Sequence, residues 1–555
     1  MSKKAKHIVV LIIAILAVNL FSKVVYKRFD LTEDKRFTLS ETAVDIVENI
    51  DAPVIIDVFL QGEDFPSEFR RLQNETKQLL EEFAAINNNI IFNFINPIED
   101  EASRERNIQQ LSARGLMPMQ LSVQENGKST QAIIFPWALA SYNDETITIP
   151  LVKNKIGADQ QELVTNSVQH LEYAFADGLS KLTTPKHKKI AVLKGNNELS
   201  DKYIADFIKK IGEYYFIAPF TLDSVETNAQ KTLTKLEDFD LIIAAKPTEA
   251  FTEAEKYVLD QYTMNGGKSL WLVDAVAMEK DSLYNETGKN FAITRDLNLT
   301  DFFFKYGVRI NPVITSTLYS TPITLAIGEG SNAQFQHLQW PYSPLAASNN
   351  NHAITNNLNL VKFDFANQID TLKNNIKKTI LLETAPLTKL EGTPREISLD
   401  LVTQPQDPAL FNKGNQTLAV LLEGTFTSVY SNRIKPLKLK TDKLKSAPTK
   451  MIVIADGDII KNDVVRNKPQ ELGFDKWTGQ SYGNKEFLLN AVNYLLDDNG
   501  LINIRTKEIA VAFLNQEKIA SEKTTWQIVN ILLPLILLAA FGVLFSYIRK
   551  KKYTA

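Results

Sequence analysis

The chain predicts an α/β protein carrying one apolar helix at each end. Three observations lead there. Short aliphatic and β-branched runs alternate with stretches that are apolar at helical spacing. Both ends hold long apolar segments flanked by basic residues. The composition, 44% hydrophobic and 23% charged with 22 Gly and 21 Pro, is that of packed domains. At 555 residues the chain exceeds a single core, so several folded units are expected. A net charge of -3 argues against a nucleic-acid surface. Cysteine is absent, which excludes disulfides, thiolate nucleophiles, CxxC redox pairs and Cys-zinc sites. The five histidines lie too far apart for a local metal motif such as HExxH.

Residues 1–28 read as a cytoplasmic tip and a first membrane helix. Lys3, Lys4 and Lys6 precede Ile8 to Phe21, and the apolar character continues past Lys23 to Tyr26. A cleaved signal peptide would show a small-x-small site; here Lys27, Arg28 and Phe29 follow, so an uncleaved anchor is expected. Residues 526–549 read as a second span, opened by Trp526 and closed by Arg549, before a short tail at 550–555. Lys550, Lys551 and Lys552 place the C-terminus in the cytoplasm by the positive-inside rule, and two spans put the N-terminus there too. Lys27 and Arg28 oppose this, but long domains translocate largely regardless of charge. The bulk of the chain is therefore expected outside the cytoplasm. Ala539, Gly542 and Ser546 form a small-residue stripe on the second span, a candidate packing surface for a partner helix; small residues are also simply common in membrane helices.

Residues 29–184 read as an α/β unit. Val54 to Leu60 is a buried-strand run, Phe65 to Ile86 repeats apolar residues at helical spacing, and Ile90 to Ile95 is a second strand. A helix at Ala102 to Ala113, a strand opened by Pro118, a turn at Asn126-Gly127, a strand near Ala132 to Phe135 and a helix from Gln160 to Leu182 complete it. This βαβαββα order resembles the thioredoxin fold, most closely over the stretch SARGLMPMQLSVQENGKS. The turn Gly62 to Ser67, where that fold carries its redox pair, has no cysteine. Another α/β unit with the same pattern is the alternative.

A second unit, doubly wound, is expected in two parts, 185–299 and 446–500. Strands at Lys189 to Leu193, Asp240 to Ala245 and Ser269 to Asp274 alternate with helices, and Thr252 with Glu255 makes a capping box. Met451 to Asp458 adds a strand and Lys485 to Asp498 its helix. Residues 300–445 are expected as a β-rich insertion, and 501–525 as an amphipathic connector to the second span.

Gly266-Gly267-Lys268-Ser269 is tempting as a phosphate loop, but Tyr262 stands where GxxxxGK requires Gly. The order helix, glycine, strand is also the reverse of a P-loop, so these glycines read as a helix cap. Asp456 and Asp458 follow a strand at the edge where doubly wound sheets place ligands, with Asn196 and Glu198 after the first strand of that sheet. They are candidate ligand or partner residues; acidic and polar turns are the alternative. The unit resembles glutamine amidotransferase-like and flavodoxin-like domains, whose amidotransferase chemistry requires the absent cysteine. His337 with Trp340, Pro341 and Tyr342 reads either as a sugar- or peptide-binding patch or as a packed element.

The layout resembles the auxiliary subunits of gliding-motility ABC transporters, GldG type, of the Bacteroidetes. The residues that carry this are Phe29 to Phe83, Met451 to Asp463 and the stretch beginning at Asn351. The resemblance implies an inner-membrane protein, partnered with a multispan permease and a cytoplasmic ATPase, needed for gliding and described as substrate-binding. It supplies no catalytic, cofactor or metal residues, so a non-enzyme is expected. A membrane-anchored periplasmic hydrolase using Asp456 and Asp458, and a structural anchor of an envelope machine, are the alternatives. Without a P-loop, the purified chain is expected to hydrolyse no ATP once its partners are removed. Without a thiolate, it should turn over no disulfide substrate above a buffer control. Stoichiometric activity in either assay would overturn the reading.

Overall fold

The computed structural model describes residues 38–62, 65–125, 128–328, 333–497, 499–507 and 516–553. The expected first span, the turn at 126–127 and part of the turn at 62–67 lie outside the described residues. Phe37–Glu508 form one compact unit.

The first lobe is built on a four-stranded sheet of β1 (Val54–Val58), β2 (Ile90–Phe94), β5 (Trp137–Tyr142) and β6 (Glu145–Pro150), in the order β2-β1-β5-β6. β1 pairs parallel with β2 and antiparallel with β5. The two strands expected to complete this sheet, β3 (Met119–Glu125) and β4 (Lys128–Ile134), pair only with each other as a separate hairpin. Alternation and a turn announce a hairpin but do not say which sheet it joins. Pro136, lacking an N–H, lies between β4 and β5, where no ladder bond is needed. Helices Ser67–Ile86 and Gln160–Thr183 supply the core residues Phe69, Leu72, Phe83, Leu171 and Phe175.

The second lobe is a nine-stranded mixed sheet. Its parallel part comprises β7 (Lys189–Lys194), β8 (Phe216–Thr221), β9 (Leu241–Ala245), β10 (Lys268–Leu272) and the strand Lys445–Ile454, in the order β8-β7-β9-β10-Lys445–Ile454. These strands read as unbroken apolar runs because both faces are covered. Leu241, Ile243 and Ala245 face helices Asp201–Ile211 and Asn484–Leu496, while Ile242 and Ala244 face helices Glu253–Met264 and Thr300–Tyr306. Residues 300–445 do not form a separate insertion. Their strand Thr417–Thr427 continues the sheet antiparallel to Lys445–Ile454, and Lys377–Thr384 follows antiparallel to Thr417–Thr427, burying Leu381, Leu382 and Leu418 to Leu422 in the same cores. The capping box at Thr252 and Glu255 is present, and the glycines after that helix close it, Gly266 at φ +96°.

The expected connector also differs. Leu501–Thr506 is a 3-10 turn whose Ile502 and Ile504 are buried in the first lobe. Next to it, Lys507 Nζ donates to Glu172 Oε2 at 2.6 Å and to the carbonyl of Thr38 at 2.7 Å, while the Ser40 amide donates to Glu172 Oε1 at 2.7 Å. One carboxylate thus holds the entry and exit segments of the unit side by side.

The second unit is described through the helix Gln516–Tyr553, which contains Pro534. Ser521–Tyr553 is long and apolar enough to cross a membrane; an 18-residue stretch within it has a mean hydropathy of 2.7 and none of that stretch is buried. Membrane association rests on this helix.

Trp271 of β10 is fully enclosed by Phe251, Phe302 and Phe303, ring centroids 6.1, 5.5 and 5.5 Å away. Trp271→Ala is expected to cost about 3–5 kcal/mol of stability. Trp477→Ala, at a half-exposed position, should stay within about 1 kcal/mol in the same unfolding experiment. Equal losses would contradict the assigned core.

Candidate functional site

Because the strands of the second lobe run parallel, β7, β9, β10 and Lys445–Ile454 all end at one edge. The sequence order of the strands reverses between β7 and β9, and ligands of doubly wound sheets sit outside such a point. Here the two loops are laced together. The Asn196 carbonyl accepts the amides of Thr248 and Glu249 at 3.0 and 3.1 Å, and Asn197 Nδ2 donates to Thr248 Oγ1 at 2.6 Å. Gly195 supplies the left-handed turn, φ +122°, that this close approach requires. Glu198 folds back to accept the Asn196 amide through Oε2 at 2.9 Å; its Oε1 is buried without a partner, and burial pushes its carboxyl up.

Beyond the switch point lies a charged crest. Lys246, directly after β9, is 2% exposed and sits at φ +56°. Its Nζ lies 2.6 Å from Asp458 Oδ1, 2.7 Å from Glu279 Oε1 and 3.7 Å from Asp274 Oδ2. Arg295 reaches Asp274 at 3.7 Å, and Lys461 reaches Asp458 at 3.8 Å. Burial works against the Lys246 charge, but Asp458, Asp274 and Glu279 outweigh it and hold its pKa above that of ordinary lysine. Burial, only partly offset by Lys246, pushes Asp274 up to about 6. Asp456 is fully buried and pushed well up, by burial first and then by Asp458 and Asp274. Gly457 is obligatory: a Cβ there would lie 2.3 Å from Lys246 Cγ and 3.0 Å from its Cα.

The sequence candidates therefore separate. Asp456 and Asp458 join the crest, whereas Asn196 and Glu198 belong to the laced loops at the switch point. Both oxygens of Asp456 hold backbone amides, of Asp458 at 2.6 Å and Asp364 at 2.7 Å. Asp274, Glu279 and Asp458 bring carboxylate oxygens within 4.8 Å of one another, a donor set suited to a divalent cation. The residues do not fit a metal, because the Lys246 ammonium already sits among all three. Sequence reading missed Lys246, Asp274, Glu279 and Arg295. The one local signal was Asp274, an acidic residue ending a strand in parallel with Asp456.

Trp340 and Tyr342 are packed into a core with Phe365, not a surface patch, and His337 hydrogen-bonds Thr324 on an outward hairpin at 2.9 Å. Ala539, Gly542 and Ser546 lie exposed on one side of this helix, and a Cβ added at Gly542 would meet nothing within 4 Å among the described residues.

Residues 187–491, more than half of the chain, match the model of a family described as "ABC-type uncharacterized transport system". Residues 33–141 match a domain of unknown function, DUF7088. No curated protein matches. Among solved structures, a chain titled "mmIFT52 N-terminal domain" is similar at 14% identity and a TM-score of 0.30, over 56% of this chain and 98% of that one.

Lys246→Met leaves three carboxylates facing one another and is expected to cost more than about 3 kcal/mol. The raised pKa of Asp274 gives a pH signature. Its contribution to stability is complete below the unfolded value of about 3.9 and is lost as the pH rises through about 6. Asp274→Asn should flatten the stability profile in that window. Parallel profiles, or stabilisation of the wild type by millimolar Mg²⁺, would refute this description of the crest.

Proposed function

Since the chain belongs to the ABC-type uncharacterized transport system family, we propose that it is a non-catalytic auxiliary subunit of an inner-membrane ABC transporter required for gliding motility, presenting a large periplasmic body to a substrate or partner. The family match across 187–491 carries the transport-associated accessory role. The gliding assignment and the permease and ATPase partners rest on the resemblance of Phe29 to Phe83 and Met451 to Asp463 to the GldG type.

Two structural observations support the arrangement. Glu172 holds Ser40 and Lys507 together, so the body receives and releases the chain at one place, as two spans in one membrane require. Lys550, Lys551 and Lys552 in the last turn of the apolar helix favour a cytoplasmic C-terminus. In the first lobe, the strand order β2-β1-β5-β6 with β5 antiparallel supports the thioredoxin-like reading. The hydrolase alternative fares worse, because Asp456 is committed to backbone amides and Asp458 to Lys246.

Purification in mild detergent, with identification of the bound chains, tests the proposal. A multispan permease and a nucleotide-binding ATPase are expected. Gly542→Leu should release the permease while membrane abundance stays at the wild-type level, with Leu537→Ala as the control. Recovery without either partner would favour a structural anchor. Full retention of the permease by Gly542→Leu would remove the Ala539-Gly542-Ser546 stripe as the contact.

A further inference from the structure

Between the two lobes of the 37–508 unit lies a cleft of about 320 Å³, within the size range of small-ligand sites, which favour such junctions. It is walled by the chain after β6, helix Gln160–Thr183, the start of helix Asn484–Leu496 and the turn Leu501–Thr506.

Its ionic groups are unevenly balanced. On one side Lys181 is paired with Asp177 at 2.9 Å and Glu213 at 3.4 Å; Lys485 is paired with Asp206 at 2.9 Å and Glu471 at 2.7 Å. On the other, Lys153 and Arg505 share the single carboxylate of Glu486, Arg505 at 2.7 Å. The side chains of Lys153 and Arg505 are only 11% and 2% exposed. Arg505 also donates to the carbonyls of Ala353 and Asn356 and stacks over the Tyr173 ring at 5.1 Å, but none of these brings a negative charge. Among the described residues, two buried cations against one carboxylate leave one positive charge without a counterion, an arrangement that costs free energy unless an anion completes it.

His170 borders the same cleft. Its ring packs beside Tyr173, and neither ring nitrogen has a hydrogen-bond partner among the described residues. Burial, then the Lys153 and Arg505 charges, hold its pKa well below the ordinary value, so the ring is neutral and one nitrogen is free to donate. Despite burial, Lys153 and Arg505 hold Glu486 down at about 2.

We propose that this cleft binds a small-molecule oxyanion, a carboxylate or phosphate, seated against Lys153, Arg505 and His170. The inference stands on the charges of the cleft and does not depend on the transporter reading.

The test uses the full chain in detergent with ¹³C-labelled histidine, the His170 resonance being the one lost in His170→Gln. Inorganic phosphate and succinate are titrated separately, with potassium chloride at matched ionic strength as the control. At least one oxyanion is expected to move the His170 resonance saturably and leave His187, His337 and His352 in place; which one does so separates the two chemistries. Lys153→Gln should weaken that binding at least about tenfold, and Lys153→Arg should retain it. Glu486→Gln, which frees both cations, should tighten it. Absence of any His170 response beyond the chloride control would overturn the proposal. So would a Lys153→Gln chain that melts like wild type and binds as tightly, or a Glu486→Gln chain that binds no more tightly.

Discussion

An ammonium group withdrawn from water needs negative charge close by, and Lys246 finds it in three carboxylates from two chain segments. Asp274 follows β10, Glu279 lies a few residues further on, and Asp458 follows the strand Lys445–Ile454. The ends of three neighbouring parallel strands are thereby tied across one buried charge. The backbone conforms to that need: Lys246 itself adopts a left-handed conformation, and the chain opposite can pass only as Gly457. A buried pair of this kind adds little net stability over an apolar replacement, but removing one member strands the rest. It ties the loops that follow three neighbouring strands to one another at the edge of the sheet.

The same network decides what the crest is not. Carboxylates at the C-terminal edge of a parallel sheet suggest ligand or metal chemistry when read one at a time. Taken together, they are already occupied by protein cations and backbone amides. The place in the fold where a doubly wound enzyme keeps its reactive groups is here used for internal cross-bracing. The surplus charge among the described residues lies elsewhere, in the junction between the lobes, where Lys153 from the chain after β6 and Arg505 from the final turn meet the neutral His170 of the long helix of the first lobe.

That final turn also explains why the lobes form one unit. Ile502 and Ile504 leave the second lobe to fill the core of the first, and Lys507 closes onto Glu172 beside Ser40. The first lobe is therefore completed by residues more than three hundred positions downstream of its own last helix. One carboxylate thus holds the first and last segments of this unit together.

Much of this was legible in the residues alone. The apolar runs of β7, β9, β10 and Met451 to Ile454, the Thr252–Glu255 cap, the C-terminal membrane helix and the position of Asp456 and Asp458 after a strand follow from local periodicity and capping chemistry, which act between near neighbours. Pairing does not. Whether β3 and β4 or β5 and β6 completed the first sheet, whether Thr417–Thr427 belonged to an insertion or to the main sheet, and whether residues 501–507 were connector or core depended on partners far away in sequence. Lys246 is the clearest case: next to Pro247 it looks like any solvated loop lysine, and its counterion Asp458 lies 212 residues away. Sequence periodicity reports which side chains seek burial; only the folded topology decides which buried charge meets which.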